Sequence, residues 1–306
     1  MEVGLVVLCC RERPRSRTDE RFPRNPSEGR GWATIGGMGQ KIAILGLGTM
    51  GRAIAQGLLR AGEATPADLM GTVKHGRRAE ERSAELGIAV GTDNVACARE
   101  ATTIVLALKP YHVGEVIQEL AAAGALDHGP RIVSLAAGVR TSTMEASAGR
   151  DLPVVRAMPN TPARIGEGMT VVSAGAHATD EDLDAAEALF RPLGRVTRLD
   201  EEHMDTVTGL SGSGPAFVYV ILEALAEGGV MMGLPRKVAL ELAAQTVQGA
   251  ARLVLETGRH PAELKDEVTT PAGCTIAALM MLEDGKLRSV LARGVQEAAR
   301  AAKELG

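Results

Sequence analysis

The sequence predicts an α/β protein, a Rossmann-type doubly wound parallel sheet followed by an all-α half. Three observations carry this. Short apolar runs alternate with amphipathic stretches from Lys41 to about Asp200. The first run ends in Gly46-Leu47-Gly48-Thr49-Met50-Gly51, a Gly-x-Gly-x-x-Gly pattern between a strand and a helix. Beyond Asp200 the strand signal stops and only helical patterning remains.

Residues 41–45 form the first apolar strand, and an amphipathic helix over 50–61 follows, stopped by Gly62. A second strand spans 69–73, a helix 77–86 and a third strand 88–90. A buried strand over 103–108 ends at Lys109-Pro110. A helix over 113–123 leads to a strand over 132–136, which ends at Gly138. Further strands are expected at 154–157, 170–173 and 196–199, with a helix at 182–190 capped by Thr179 or Asp180. The α half reads as helices over 215–227, 235–257, 275–283 and 287–305. Gly228-Gly229 and Gly233 supply the turn between the first two, and Gly258 stops the second. Ala243, Ala244, Gly249, Ala250 and Ala251 are too small for a thick core. They suit close helix packing, either within the chain or against a second copy.

Composition narrows the function. A chain of 306 residues with 45% hydrophobic and 24% charged residues has room for two domains. Only 2% are aromatic, which leaves almost no stacking platform for single-stranded nucleic acid. The net charge of −4 gives no field toward DNA or an anionic membrane. Cys9, Cys10, Cys97 and Cys274 show no metal-ligand spacing and no accompanying histidine cluster, so a reducing, cytoplasmic setting is expected and no metal. Residues 1–38 differ in kind. A short apolar stretch precedes Arg11, Arg13, Arg15, Arg17, Arg21 and Arg24, the reverse of a secretory signal. They read as a disordered or non-native extension, or as a transit peptide, against which Asp19, Glu20 and Glu28 count. The domains are then 39–200 and 201–306.

In the glycine pattern, Gly46 permits a tight turn, Gly48 lets the backbone approach a pyrophosphate, and Gly51 lets the helix pack closely on the strand. The second strand runs into Gly71-Thr72-Val73-Lys74-His75-Gly76-Arg77-Arg78, with no acid before Glu80. NAD-binding chains usually place an acid there for the ribose hydroxyls. Lys74, Arg77 and Arg78 would instead favour a 2′-phosphate, so NADPH is expected, with NADH possible but weaker. The plain alternative is a solvated basic turn. Lys109-Pro110 and Ala136-Ala137-Gly138 fall at carboxyl ends of strands, where ligands sit in such sheets. With Thr72, Asn94, Ala107 and Leu108 they complete the expected cofactor residues.

Three segments could serve a substrate. In Met158-Pro159-Asn160-Thr161-Pro162, Asn160 can bond a ligand or its own loop. In Leu210-Ser211-Gly212-Ser213-Gly214-Pro215-Ala216, Ser211 and Ser213 either line a pocket or cap a helix. Thr270-Pro271-Ala272-Gly273-Cys274-Thr275 opens into a helix, whose free N–H groups attract anions. Thr270, Gly273, Cys274 and Thr275 could there hold a small acid, or the segment is an ordinary capped helix. No nucleophile–base pair is visible.

These motifs, in this order over roughly 41–306, resemble those of the pyrroline-5-carboxylate reductases. The Met158–Pro162 and Leu210–Ala216 elements match that family closely. It usually has Ser-Pro-Gly-Gly-Thr-Thr where this chain has Thr270 to Thr275, and the departures at Ala272 and Cys274 read as mild because both residues are small. At Glu267 the family often has an amide near the cofactor, which puts that contact in doubt. The resemblance implies NADPH-dependent reduction of L-1-pyrroline-5-carboxylate to L-proline, by hydride transfer to the C=N carbon. It also implies a helical dimerisation and substrate domain, in a homodimer or a larger homo-oligomer, and no nucleic-acid or membrane partner. Two alternatives keep the glycine loop. A related imine or β-hydroxyacid reductase usually has a catalytic Lys or Asp in the helical half, but Lys237 and Lys265 lie outside any such motif. An NADP(H)-sensing regulator has no need of a second anion site.

Overall fold

The computed structural model describes residues 40–305. The expected extension at 1–38 lies outside them. The sheet domain begins with β1 (Ile42–Leu45), buried along its whole length. Side chains alternate across a strand, so β1 feeds two cores. Ile42 and Ile44 pack with Ile54 and Leu58 of α1 (Thr49–Ala61) on one face. Ala43 and Leu45 join Ile104, Leu106 and Ile117 on the other. The chain continues through β2 (Leu69–Thr72), α2 (Gly76–Leu86), β3 (Ala89–Gly91), α3 (Asn94–Ala98), β4 (Thr103–Leu106), α4 (Pro110–Ala122), β5 (Arg131–Ser134) and α5 (Thr141–Ala148). Then come β6 (Val154–Met158), β7 (Gly168–Ala174), α6 (Asp180–Phe190) and β8 (Gly194–Arg198). The eight strands lie in the order β3-β2-β1-β4-β5-β6-β7-β8. Neighbours are parallel except β6 and β7, which are antiparallel. Thr179 caps α6 and shares a capping box with Asp182, which decides between the two expected caps.

The helical half contains α7 (Met204–Val207), a π-helical turn over Thr208–Gly212, α8 (Gly214–Met231), α9 (Arg236–Thr257), α10 (Pro261–Glu267), α11 (Cys274–Asp284) and α12 (Leu287–Lys303). α12 folds back onto the start of this half and packs on α7 and the π turn. The approach is close: a Cβ on Gly209 would lie 2.7 Å from both the Ala299 nitrogen and the Val295 oxygen.

Several expectations are corrected. Gly228-Gly229 does not turn the chain, because α8 runs through it. Gly229 sits instead at the close crossing with α9, where a Cβ would meet Ala239 at 3.1 Å. The turn falls instead at Gly233, whose φ is +96°. β4 and β5 end at Leu106 and Ser134, two residues earlier than their apolar runs suggest. The residues that follow leave the ladder to form loops at the carboxyl edge. Short α3, α5 and α10 had no clear periodicity. α3 is capped by Asp93, which accepts from the Ala96 N–H at 2.9 Å, and α10 starts at Pro261.

Candidate active site

The three glycines after β1 meet three different constraints. Gly46 has φ +103°, and a Cβ there would lie 2.6 Å from the Ala107 carbonyl oxygen. A Cβ on Gly51 would lie 2.3 Å from the Gly46 oxygen, so that glycine sets how closely α1 approaches the loop. Gly48 is the opposite case: no described atom lies within 4 Å of its added Cβ. It is also the N-cap of α1, and no described side chain bonds there. Open space beside the unpaired first-turn N–H groups of Thr49 and Met50 is a cradle that fits a pyrophosphate.

The loop is held from beneath. Gly46 and Leu47 donate their N–H groups to the Thr72 carbonyl at 3.2 and 2.8 Å. The Thr72 hydroxyl accepts from the Gly46 N–H at 3.3 Å and donates to Asn94 Oδ1 at 2.8 Å. Thr72 and Asn94 therefore shape the loop, and the Thr72 hydroxyl is spent on it. Leu47 is buried against Gly71, where any side chain would collide with it. Past β2, Lys74, His75, Arg77 and Arg78 are exposed. Arg77 lies 3.5 Å from Glu81 with its side chain 92% exposed. α2 thus starts with two arginines and no acid in its first turn, an arrangement unfavourable for the helix dipole.

At the same edge, Lys109 is the exposed N-cap of α4, held extended by Pro110. Ala107 and Leu108 back onto Gly46. In the next loop Ala136 is buried and donates its N–H to Ser134 Oγ at 3.3 Å, and Gly138 has φ +78°.

Asn160 ties the halves together. Its Nδ2 donates to the Ser211 carbonyl at 3.2 Å, and its Oδ1 accepts from the Met169 N–H at 2.9 Å. Ser211 sits in the π turn, and Ser213 donates its N–H to the Thr208 carbonyl at 2.8 Å. Both ends of the Asn160 amide are thus bonded to protein. Ser213 is the N-cap of α8, but its side chain makes no capping bond.

The segment before α11 lies elsewhere on the surface. Gly273 is the N-cap, and no described side chain caps this end. A Cβ on Gly273 would lie 2.4 Å from Thr270 Oγ1, so Thr270 is folded tightly over the helix start. Thr269 is occupied, donating its hydroxyl to the Lys265 carbonyl at 2.7 Å. Cys274 is exposed and Thr275 half-buried. α11 packs mainly on α12, so one chain does not bring this segment to the glycine loop by a major contact.

Ala272 is not a mild departure. Its φ is +55°, the left-handed region that favours glycine. An L side chain there costs about 1–2 kcal/mol. Ala272→Gly is therefore expected to stabilise the protein by about 0.5–1 kcal/mol, after the added freedom of the unfolded chain is counted. Denaturant unfolding of both proteins checks this, and a destabilised variant contradicts it. Glu267 makes a local ion pair with Arg259 at 2.6 Å, and that hydrogen bond holds its carboxyl below the usual range.

One polar group had no sequence motif. Arg156 on β6 has a side chain only 4% exposed and lies between Glu201 and Asp205. A charge inside the apolar run Val154-Val155-Arg156-Ala157 is the one signal that could have flagged it.

Comparison with known proteins adds the relatives. Residues 201–305 match a family model described as pyrroline-5-carboxylate reductase dimerisation. Residues 41–138 match one described as NADP oxidoreductase, coenzyme F420-dependent. The pyrroline-5-carboxylate reductase of Methanosarcina acetivorans is 43% identical over 267 residues, covering 87% of this chain and 98% of that one. A solved pyrroline-5-carboxylate reductase from Coxiella burnetii superposes with a TM-score of 0.81 at 34% identity, covering 88% of this chain and 99% of that one. A Plasmodium falciparum pyrroline carboxylate reductase, solved with NADP bound, gives a TM-score of 0.79 at 28% identity over 88% of this chain and all 100% of its own.

Proposed function

The chain belongs to the pyrroline-5-carboxylate reductase family and reduces pyrroline-5-carboxylate to proline with NADPH, and from that premise we propose how its residues divide the work. The open cradle at Gly48 carries the proposal for the cofactor. Backbone N–H groups of 48–51 hold the pyrophosphate, and Lys74, Arg77 and Arg78 face the 2′-phosphate. Ala136, Ala137 and Gly138 leave room for the nicotinamide, and Lys109 lies near its ribose.

NADPH, when bound, supplies the hydride that the C=N carbon accepts. The chain aligns the two carbons and excludes water. Its substrate anchor is the start of α11, where unpaired N–H groups and the Thr275 hydroxyl converge on the carboxylate. A pyrroline imine that enters protonated at nitrogen needs no side-chain acid. Ser211 and Ser213 line the opposite wall, with Asn160 holding Ser211.

We read the exposed apolar faces of the helical half as subunit contacts. Val220 and Leu225 on α8, Leu242 and Leu253 on α9, and Met280 and Met281 on α11 are all exposed in the single chain. The segment Glu201–Met231 is long and apolar enough to cross a membrane by composition. It opens with Glu201 and Asp205, which bond Thr141 and Arg156 of the sheet domain, so a second copy suits its outer face better than lipid. The α11 loop of one subunit would then complete the site of another. A cytoplasmic location fits the exposed, unpaired thiol of Cys274.

Cofactor-oxidation assays with pyrroline-5-carboxylate, using NADPH and NADH in parallel, test this reading. Replacing Lys74, Arg77 and Arg78 together by Ala is expected to raise the KM for NADPH by roughly tenfold and to leave that for NADH within about twofold. An unchanged preference, or a parent enzyme that favours NADH, would show that this turn does not read the 2′-phosphate.

A further inference from the structure

We propose that Glu201 is a positioning residue for the cofactor, acting through the loop before α5. The inference rests on the reading of Ala136-Ala137-Gly138 as the nicotinamide loop. α5 has no cap of its own: Arg140 occupies the N-cap, its side chain makes no capping bond, and the first turn holds no acid. The cap comes from 60 residues away. The Thr141 N–H donates to Glu201 Oε1 at 2.7 Å, and the Thr141 hydroxyl donates to Oε2, also at 2.7 Å. Both carboxylate oxygens are thus engaged at the positive end of the helix. Residues 136–140 are then pinned at both ends, by Ser134 Oγ and by Glu201.

The same carboxylate, which opens the helical half, also faces β6 of the sheet domain. Glu201 Oε1 lies 3.7 Å from Arg156 Nη1, and Arg156 Nη2 donates to Asp205 Oδ1 at 3.0 Å. A buried guanidinium must stay paired, because an unpaired buried charge is costly. Arg156 sits on β6, which delivers Asn160. Asp205 sits on α7, which runs into the π turn and Ser211. Glu201 therefore couples the proposed nicotinamide loop to the wall that faces it, and the spacing between the two is what hydride transfer depends on.

Glu201→Gln keeps the size of the side chain and one acceptor, but removes the charge and turns a donor toward Thr141. The folded oligomer is expected to bind NADPH about tenfold more weakly by fluorescence titration. Its KM for pyrroline-5-carboxylate should stay within about twofold, because that carboxylate is anchored on α11. A general loosening would move both constants together. An NADPH Kd within about twofold of the parent, or an equal rise in both constants, overturns the proposal. If Glu201→Gln does not fold, Thr141→Val removes the hydroxyl bond alone. It should weaken NADPH by about threefold, and no change there overturns the proposal equally. Ala137→Leu separates the two layers. If it leaves NADPH binding intact, the loop reading itself fails and the proposal with it. If it weakens binding while Glu201→Gln does not, only the role of Glu201 is lost.

Discussion

Gly48→Val is expected to abolish useful cofactor binding and leave the fold intact. The reasoning is geometric. A Cβ at position 48 meets no described protein atom within 4 Å, and the backbone there has φ −75°, which any residue adopts. The first carbon of the added side chain therefore meets no described atom of the protein. It fills the space between the loop and the first turn of α1, where the pyrophosphate would lie. Loss of that approach should raise the NADPH Kd by more than about 100-fold. The melting temperature should move by only about a few degrees. Positions 46 and 51 would not make this separation, because side chains there strike the Ala107 and Gly46 carbonyls and disturb the fold itself. Calorimetric titration with NADPH beside a thermal melt checks the prediction. Intact binding in a folded Gly48→Val protein would place the pyrophosphate somewhere else.

Local chemistry explains why this loop can be read from the sequence. Each glycine answers a constraint set by its nearest neighbours, and the spacing of three glycines after an apolar run records all three constraints. The alternating apolar runs report the sheet for the same reason, since burial on both faces leaves β1 and β4 with no polar residue except Thr103. Features made by distant bonding are not written in this way. The cap of α5 is Glu201, and the Thr-Ser-Thr run that begins that helix carries no trace of it. Asn160 reads in the sequence equally well as a ligand contact or as a brace, and its bonds to Met169 and Ser211 depend on where the fold brings those two residues. Gly228-Gly229 looks like a turn because glycine serves both turns and close helix crossings, and the Cβ of Ala239 settles which. At Ala272 side-chain size is visible in the sequence but the backbone angle is not, which is why a substitution that looks mild carries strain.

Thr275→Ala is expected to lower kcat/KM for pyrroline-5-carboxylate by roughly tenfold to a hundredfold. A charge-assisted hydrogen bond to a carboxylate contributes about 1.5–3 kcal/mol, which sets that range. The N–H groups at the start of α11 remain in the variant, so binding should be weakened and not erased. The NADPH Kd should hardly change, because the glycine loop and basic turn lie on the sheet domain. Thr269→Ala should do less, since that hydroxyl is already bonded to the Lys265 carbonyl. Steady-state kinetics with a cofactor titration separates these effects. An equal loss of cofactor binding would mean that the α11 loop serves the nucleotide.

The most direct measurement compares two imines that differ only in the carboxylate, pyrroline-5-carboxylate and 1-pyrroline, on the parent enzyme and on Thr275→Ala. With the carboxylate held at the start of α11, the parent strongly prefers pyrroline-5-carboxylate. Thr275→Ala should then lose roughly tenfold or more of that preference, while its turnover of 1-pyrroline stays within about twofold. An equal fall for both substrates, or a preference that survives the substitution, would contradict an anchor at this helix start.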